Sequence, residues 1–162
     1  PPPPPPPPPS PPTPPPPTST LELDRRQRQM CIRDRLNVVG SIFARENKLN
    51  NCLILNTNKQ VTEALNGNIF LVKDKVIKTP PLNDGCLKGT MRKQLIEILK
   101  TIDDYECVEA SISPFELQKA DEIFITNVIS GIQPITKYRK KVFDNKVSKL
   151  LVQKLNIKMR LS

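Results

Sequence analysis

Apolar residues first fall into a regular period at Leu36, where Leu36, Val39, Ile42 and Phe43 share one face of a helix that the spacing predicts to run toward Asn47. Leu53-Ile54-Leu55 then reads as a short apolar strand, and Asn56-Thr57-Asn58-Lys59 as a turn. A strand from Val61 to Leu65, the Asn66-Gly67 turn signal, a strand from Ile69 to Val72 and a return over Lys75 to Thr79 predict an antiparallel meander. Pro80 and Pro81 end it. After Gly85 and Gly89 the period changes to that of a helix starting near Thr90, with Met91, Leu95, Ile98 and Leu99 as its inner stripe.

Tyr105 to Ala110 alternates as a strand. Ser113-Pro114-Phe115-Glu116 carries a capping box with proline at the first helical position, so a short helix to Lys119 follows. Ile123-Phe124-Ile125 is a buried strand that ends at Thr126-Asn127, and Gly131 and Pro134 bracket a loop before a terminal basic helix. Val147, Leu150, Leu151 and Leu155 supply that helix with its apolar side, and Lys146, Lys149 and Lys154 lie beside them as its wet face. The layout is α+β, with mixed helix and sheet and short loops.

Composition changes this picture mainly at the start of the chain. Fifteen of the 19 prolines stand between Pro1 and Pro17, where only polyproline II or disorder is possible. The segment from Asp24 to Arg35 has neither a helical nor a strand period, and its string QRQMCIRDR resembles the accidental translation of a sequencing adapter. Residues 1–35 are therefore expected to be disordered and foreign to the gene, and residues 36–162 to form the folded domain. With four per cent aromatics and no tryptophan, that domain has few large side chains to fill its core, which points to a partner surface.

The chain has no histidine. This excludes the common general base, the serine and cysteine triads built on it, and most zinc sites. Cys31, Cys52, Cys86 and Cys107 are too widely spaced for a metal knuckle or a dense disulfide scaffold, so reduced thiols are expected. Much of the net charge of +9 comes from the stretch between Lys137 and Arg160, which holds nine basic residues against Asp144. No aromatic platform accompanies them, so a solvated helix face is favoured over a nucleic-acid surface. No apolar run reaches the roughly 20 residues of a membrane span. A cytoplasmic protein without membrane or nucleic-acid partners is expected.

Three places remain as candidate chemistry. Glu63 stands at a strand end before a turn, where its carboxylate can hold a ring nitrogen protonated, although spacing alone favours a plain exposed glutamate. Gly89-Thr90-Met91-Arg92 is a glycine-led helix start, which offers amides and a positive dipole end to an anion. Thr126-Asn127, with Gly131 beyond, is a strand end that opens into a turn; an ordinary connecting loop would look the same.

In this order and spacing the three resemble the class IV aminotransferase family over roughly Leu36 to Leu155. The resemblance rests on VTEALNGNIF from Val61 to Phe70, on TPPL from Thr79 with GTMR ending at Arg92, and on ADEIFITN ending at Asn127 with GIQPI from Gly131. It implies the large domain of a D-amino-acid aminotransferase-like fold, built on a mixed sheet or pseudo-barrel, in a homodimeric pyridoxal-phosphate enzyme acting on an amino-acid-type substrate. It further implies that Glu63 bonds the pyridine nitrogen, that the amides of Thr90 and Met91 hold the phosphate, and that Asn127 and Val128 line its other side.

Two departures carry information. Branched-chain aminotransferases generally have threonine where Met91 stands and Gly-Thr where Asn127-Val128 stands. Met91 and the T-N-x-x-x-G-x-x-P form look more like 4-amino-4-deoxychorismate lyase. The family's Schiff-base lysine precedes the glutamate by a little over thirty residues, which falls near Met30, and no lysine occurs before Lys48. The family's small N-terminal domain is expected to be missing as well. The chain is thus expected to be a fragment without catalytic activity of its own.

Overall fold

The computed structural model describes residues 35–161, with side-chain surroundings given through residue 158. The proline tract, Cys31 and the position of Met30 lie outside the described residues. The chain divides into two units at Leu36/Asn37, and the second carries the fold.

Helix α1 (35–46) is followed by strands β1 (Leu53–Leu55), β2 (Val61–Ala64), β3 (Asn68–Lys73) and β4 (Val76–Thr79). A 3₁₀ turn at Leu82–Asp84 leads to α2 (Thr90–Leu99), β5 (Glu106–Glu109), α3 (Pro114–Lys119) and β6 (Glu122–Asn127). The chain ends with β7 (Gly131–Pro134), the hairpin β8 (Lys137–Tyr138) and β9 (Lys141–Val142), and α4 (Lys146–Leu161).

Five strands form the central sheet in the order β5-β4-β3-β6-β7, while β1 pairs with β2 and β8 with β9 in separate ribbons. All neighbours in the central sheet run antiparallel except β4 and β5. That parallel pair needs a crossover, and α2 supplies it. The expected meander is therefore interrupted: β2 and β3 belong to different sheets, and the turn between them is closed by the Ala64–Gly67 bridge.

Strand alternation sends Phe70, Val72, Phe124 and Ile132 to one face, where they pack with Leu95, Ile98 and Leu99 of α2 and Val147, Leu151 and Leu155 of α4. The Phe70 and Phe124 rings stack there with centroids 5.1 Å apart. On the other face Ile69, Leu71, Ile123 and Ile125 meet Val61, Ile112, Leu117 and Phe143. The predicted inner stripe of α2 is thus found, with Met91 partly buried at its edge.

One further expectation is corrected. The segment from Gly131 to Pro134 is a strand rather than a loop, paired with β6 from Asn127↔Gly131 to Phe124↔Pro134. It lies at the sheet edge, where a proline's missing N–H removes no ladder bond from a neighbour. The face of α1 carrying Leu36, Val39, Ile42 and Phe43 is exposed. The helix docks instead through its small residues: Ala44 is buried, and a Cβ at Gly40 would stand 2.4 Å from Leu65 Cδ2.

The capping box of α3 is formed as expected, with Ser113 Oγ accepting from Glu116 N at 3.3 Å and Glu116 Oε2 accepting from Ser113 N at 2.8 Å. Partial burial pushes the Glu116 carboxyl up, but the hydrogen bond from Lys78, the Ser113 amide and the Lys78 charge together hold it below its ordinary value of 4.5. A depressed carboxyl stabilises the fold above its unfolded pKa, and that contribution is lost as pH falls through the folded pKa. Glu116→Gln is expected to flatten the fall of melting temperature below about pH 5; a parallel curve in a pH series of thermal melts would refute this.

Candidate functional site

Glu63 is 5 % exposed, so it is not the exposed strand-end glutamate that spacing alone favoured. Both faces of β2 are covered, and the carboxylate is turned to the loop between the 3₁₀ turn and α2, where Oε2 accepts the Leu87 N–H at 2.9 Å. The carbonyl of the same Leu87 accepts from Asn68 Nδ2 at 2.7 Å. One peptide segment is therefore gripped by an acid from β2 and an amide from the start of β3.

Gly89 follows two residues later as the N-cap of α2, and it makes no side-chain capping bond. Its backbone is extended at φ −66° and ψ 141°, so conformation does not require glycine. Space does, because a Cβ would lie 2.2 Å from Asn68 Oδ1. The start of α2 is thereby laid against Asn68, with the Thr90 side chain exposed and Met91 turned toward the core. Thr90 is three positions on from Leu87, so the Glu63 contact and the helix start lie within about 11 Å of each other along the chain.

Arg92 fixes this helix start from behind. It is buried, and one guanidinium nitrogen donates to the Pro80 carbonyl at 2.8 Å and to Glu109 Oε2 at 2.5 Å. Burial and the nearby Glu109 raise the pKa of the Cys107 thiol, so it stays protonated at neutral pH. A thiol raised in this way forms less of the thiolate that attacks or binds metal.

The third candidate region joins through the turn after Glu63. Asn127 Nδ2 donates to the Asn66 carbonyl at 2.9 Å, while its Oδ1 accepts from Ile129 N, Ser130 N and Ser130 Oγ. The Asn127 side chain is thus engaged in shaping its own turn. Val128 and Ile129 project from that turn into solvent. Gly67 packs flat on the neighbouring strand, since a Cβ there would meet the Thr126 carbonyl oxygen at 2.5 Å.

Glu63, Thr90, Met91 and Asn127 are consequently tied into one end of the fold through Leu87, Asn68 and Asn66, with Val128 at its rim. A separate hollow of about 460 Å³, lined by Gln118, Tyr138, Arg139, Lys140 and Lys141, shares none of these residues. Sequence reasoning gave no role to Asn68, although a polar residue heading the apolar run Ile69-Phe70-Leu71-Val72 signals a buried, partnered amide. Together the residues offer a buried carboxylate and an uncapped helix start held on one short loop. That donor set suits a molecule that is cationic at one end and anionic at the other.

Comparison with known proteins gives this arrangement a context. The family model for amino-transferase class IV matches residues 12–138. A Methanocaldococcus jannaschii protein provisionally named as a branched-chain-amino-acid aminotransferase is 32% identical over 124 residues, which are 76% of this chain and 43% of that protein. Among solved structures, an aminotransferase from Brucella abortus bound to the cofactor PLP superposes with a TM-score of 0.69 at 25% identity, over 74% of this chain and 42% of that one. The 4-amino-4-deoxychorismate lyase of Pseudomonas aeruginosa gives 0.62 at 28% identity, over 66% and 40%. The chain spans less than half the length of these relatives.

Proposed function

The chain belongs to the class IV aminotransferases, and from that premise we propose that residues 36–162 are the coenzyme-gripping large domain of a pyridoxal-phosphate enzyme that acts on an amino-acid-type substrate, as a homodimer when whole. The observation that carries the proposal is the double hold on Leu87, which ties the Glu63 carboxylate and the start of α2 to one short loop. When bound, pyridoxal phosphate supplies an electron sink for the pair released at the substrate α-carbon. With the coenzyme bound, the Glu63 carboxylate, which accepts the Leu87 N–H at Oε2, would hold the proton on the ring nitrogen. The N–H groups of Thr90 and Met91 receive the phosphate dianion, favoured by the positive end of α2. Asn127 sets the turn that closes the far side, with the backbone at Val128 as its wall.

Within the family the reading leans toward 4-amino-4-deoxychorismate lyase over a branched-chain aminotransferase. Met91 gives its side chain to the core and puts no hydroxyl at the helix start, and Asn127 gives its own to the turn. Both reactions begin with removal of the α-proton. Assay of a full-length relative carrying Met91 and Asn127, for 4-aminobenzoate release against 2-oxoglutarate-dependent transamination, separates them.

The proposal includes the absence of covalent attachment, since the family's lysine position falls near Met30. The chain is expected to bind pyridoxal phosphate saturably and reversibly, and borohydride treatment of the loaded chain is expected to label no single lysine stoichiometrically. Mapping of one such lysine by mass spectrometry would overturn the absent attachment. A lack of saturable binding would overturn the site itself.

A further inference from the structure

We infer that the Thr126 hydroxyl is the side-chain donor to the phosphate end of the coenzyme, in the place that the sequence alone gave to Asn127; the inference rests on the pyridoxal-phosphate reading and names one more group in that site. Thr126 is 2 % exposed, yet its Oγ1 has no hydrogen-bond partner among the described residues. Buried hydroxyls are almost always partnered, so an orphan one marks a place where something polar is received. A valine would fill the same volume without that unmet hydrogen bond.

Position selects the ligand. Thr126 and Asn68 are directly paired in the antiparallel β3–β6 ladder, so their side chains share one sheet face with Cβ atoms about 5 Å apart. That face carries α2, and at this end of it Asn68 already reaches Leu87 and lies against Gly89, the uncapped N-cap of α2. Two independent features therefore converge: free amides at the start of a ten-residue helix, and an unpartnered buried hydroxyl on the adjoining strand. Both are donors toward an anion. A phosphate monoester dianion can accept from both at once. Asn127, by contrast, already has both ends of its amide engaged in the turn.

The test compares the chain with Thr126→Val and Thr126→Ser. Affinity is measured for pyridoxal phosphate and for pyridoxal, which lacks the phosphate, and the unliganded proteins are melted. Thr126→Val is expected to weaken pyridoxal phosphate about tenfold, the worth of one charge-assisted hydrogen bond. It should leave pyridoxal unchanged and melt no lower than the parent, because it removes an unsatisfied buried group. Thr126→Ser should stay within about threefold of the parent. Equal pyridoxal-phosphate affinity in the parent and Thr126→Val overturns the inference, and so does a loss shared by pyridoxal or accompanied by a lower melting temperature. Failure of the parent itself to bind would instead overturn the coenzyme reading beneath it.

Discussion

Glu122→Ala is expected to lower the melting temperature by on the order of 10 °C, from a loss of about 3 kcal/mol. Glu122 is 2 % exposed at the start of β6, and its two oxygens accept the amides of Val147 at 2.8 Å and Ser148 at 2.7 Å. Those amides belong to the first turn of α4, so a strand residue acts as a long-range helix cap. Hydrogen bonds to a charged group contribute roughly 1.5–3 kcal/mol each, and a carboxylate at a helix start gains from the macrodipole as well. Alanine leaves both amides buried and unmet. The pairwise values overlap and do not add, which holds the expected total near 3 kcal/mol, still a large share of the roughly 5–15 kcal/mol of a small domain.

The loss would not stay local, because α4 seats Val147, Leu151 and Leu155 against the face of the sheet that ends at Thr126. Glu122→Gln separates charge from shape: it keeps one acceptor oxygen and turns an NH₂ toward the second amide, so its melting temperature should fall between those of the parent and Glu122→Ala. Thermal and urea unfolding followed by circular dichroism checks both. An alanine variant within about 2 °C of the parent would remove Glu122 from the list of groups that hold the fold.

Local pattern made much of this structure legible. The stripe of α2, the capping box at Ser113 and the strands around Phe70 and Phe124 depend on neighbours within a few residues, and periodicity reports those directly. Glu63 was also visible as a position, though its burial was not, since the loop that covers it comes from Leu87, 24 residues on. Glu122 lay inside a readable strand, yet nothing nearby announces that its partners are the amides of a helix 25 residues away. Gly131 and Pro134 read as breakers because each breaks regular structure in isolation. Here Gly131, at φ 67°, opens an edge strand, and Pro134 closes it. Periodicity found the apolar stripe of α1 but says nothing of what faces it, and the helix rests on Gly40 and Ala44 instead.

The Asn66-Gly67 pair shows the same limit more sharply, and it yields the second large prediction. As a sequence signal it implies residues with positive φ in a tight hairpin. The turn is present, closed by Ala64 N–H to the Gly67 carbonyl at 2.9 Å, but neither residue takes a positive φ. Gly67 is required for space: a Cβ would stand 2.5 Å from the Thr126 carbonyl oxygen and 3.1 Å from its carbon. These are backbone atoms of a central strand and cannot rotate aside, so β3 and β6 must part where Asn68 pairs with Thr126. Gly67→Ala is expected to cost about 2–3 kcal/mol, in the range of an overpacked core. It should also weaken pyridoxal phosphate more than its effect on stability explains, because the displaced turn carries the Asn66 carbonyl that holds Asn127. Gly67→Asn decides between the two reasons for glycine. Were positive φ the requirement, asparagine would be tolerated far better than alanine; since contact with Thr126 is the requirement, urea unfolding should find asparagine at least as destabilising.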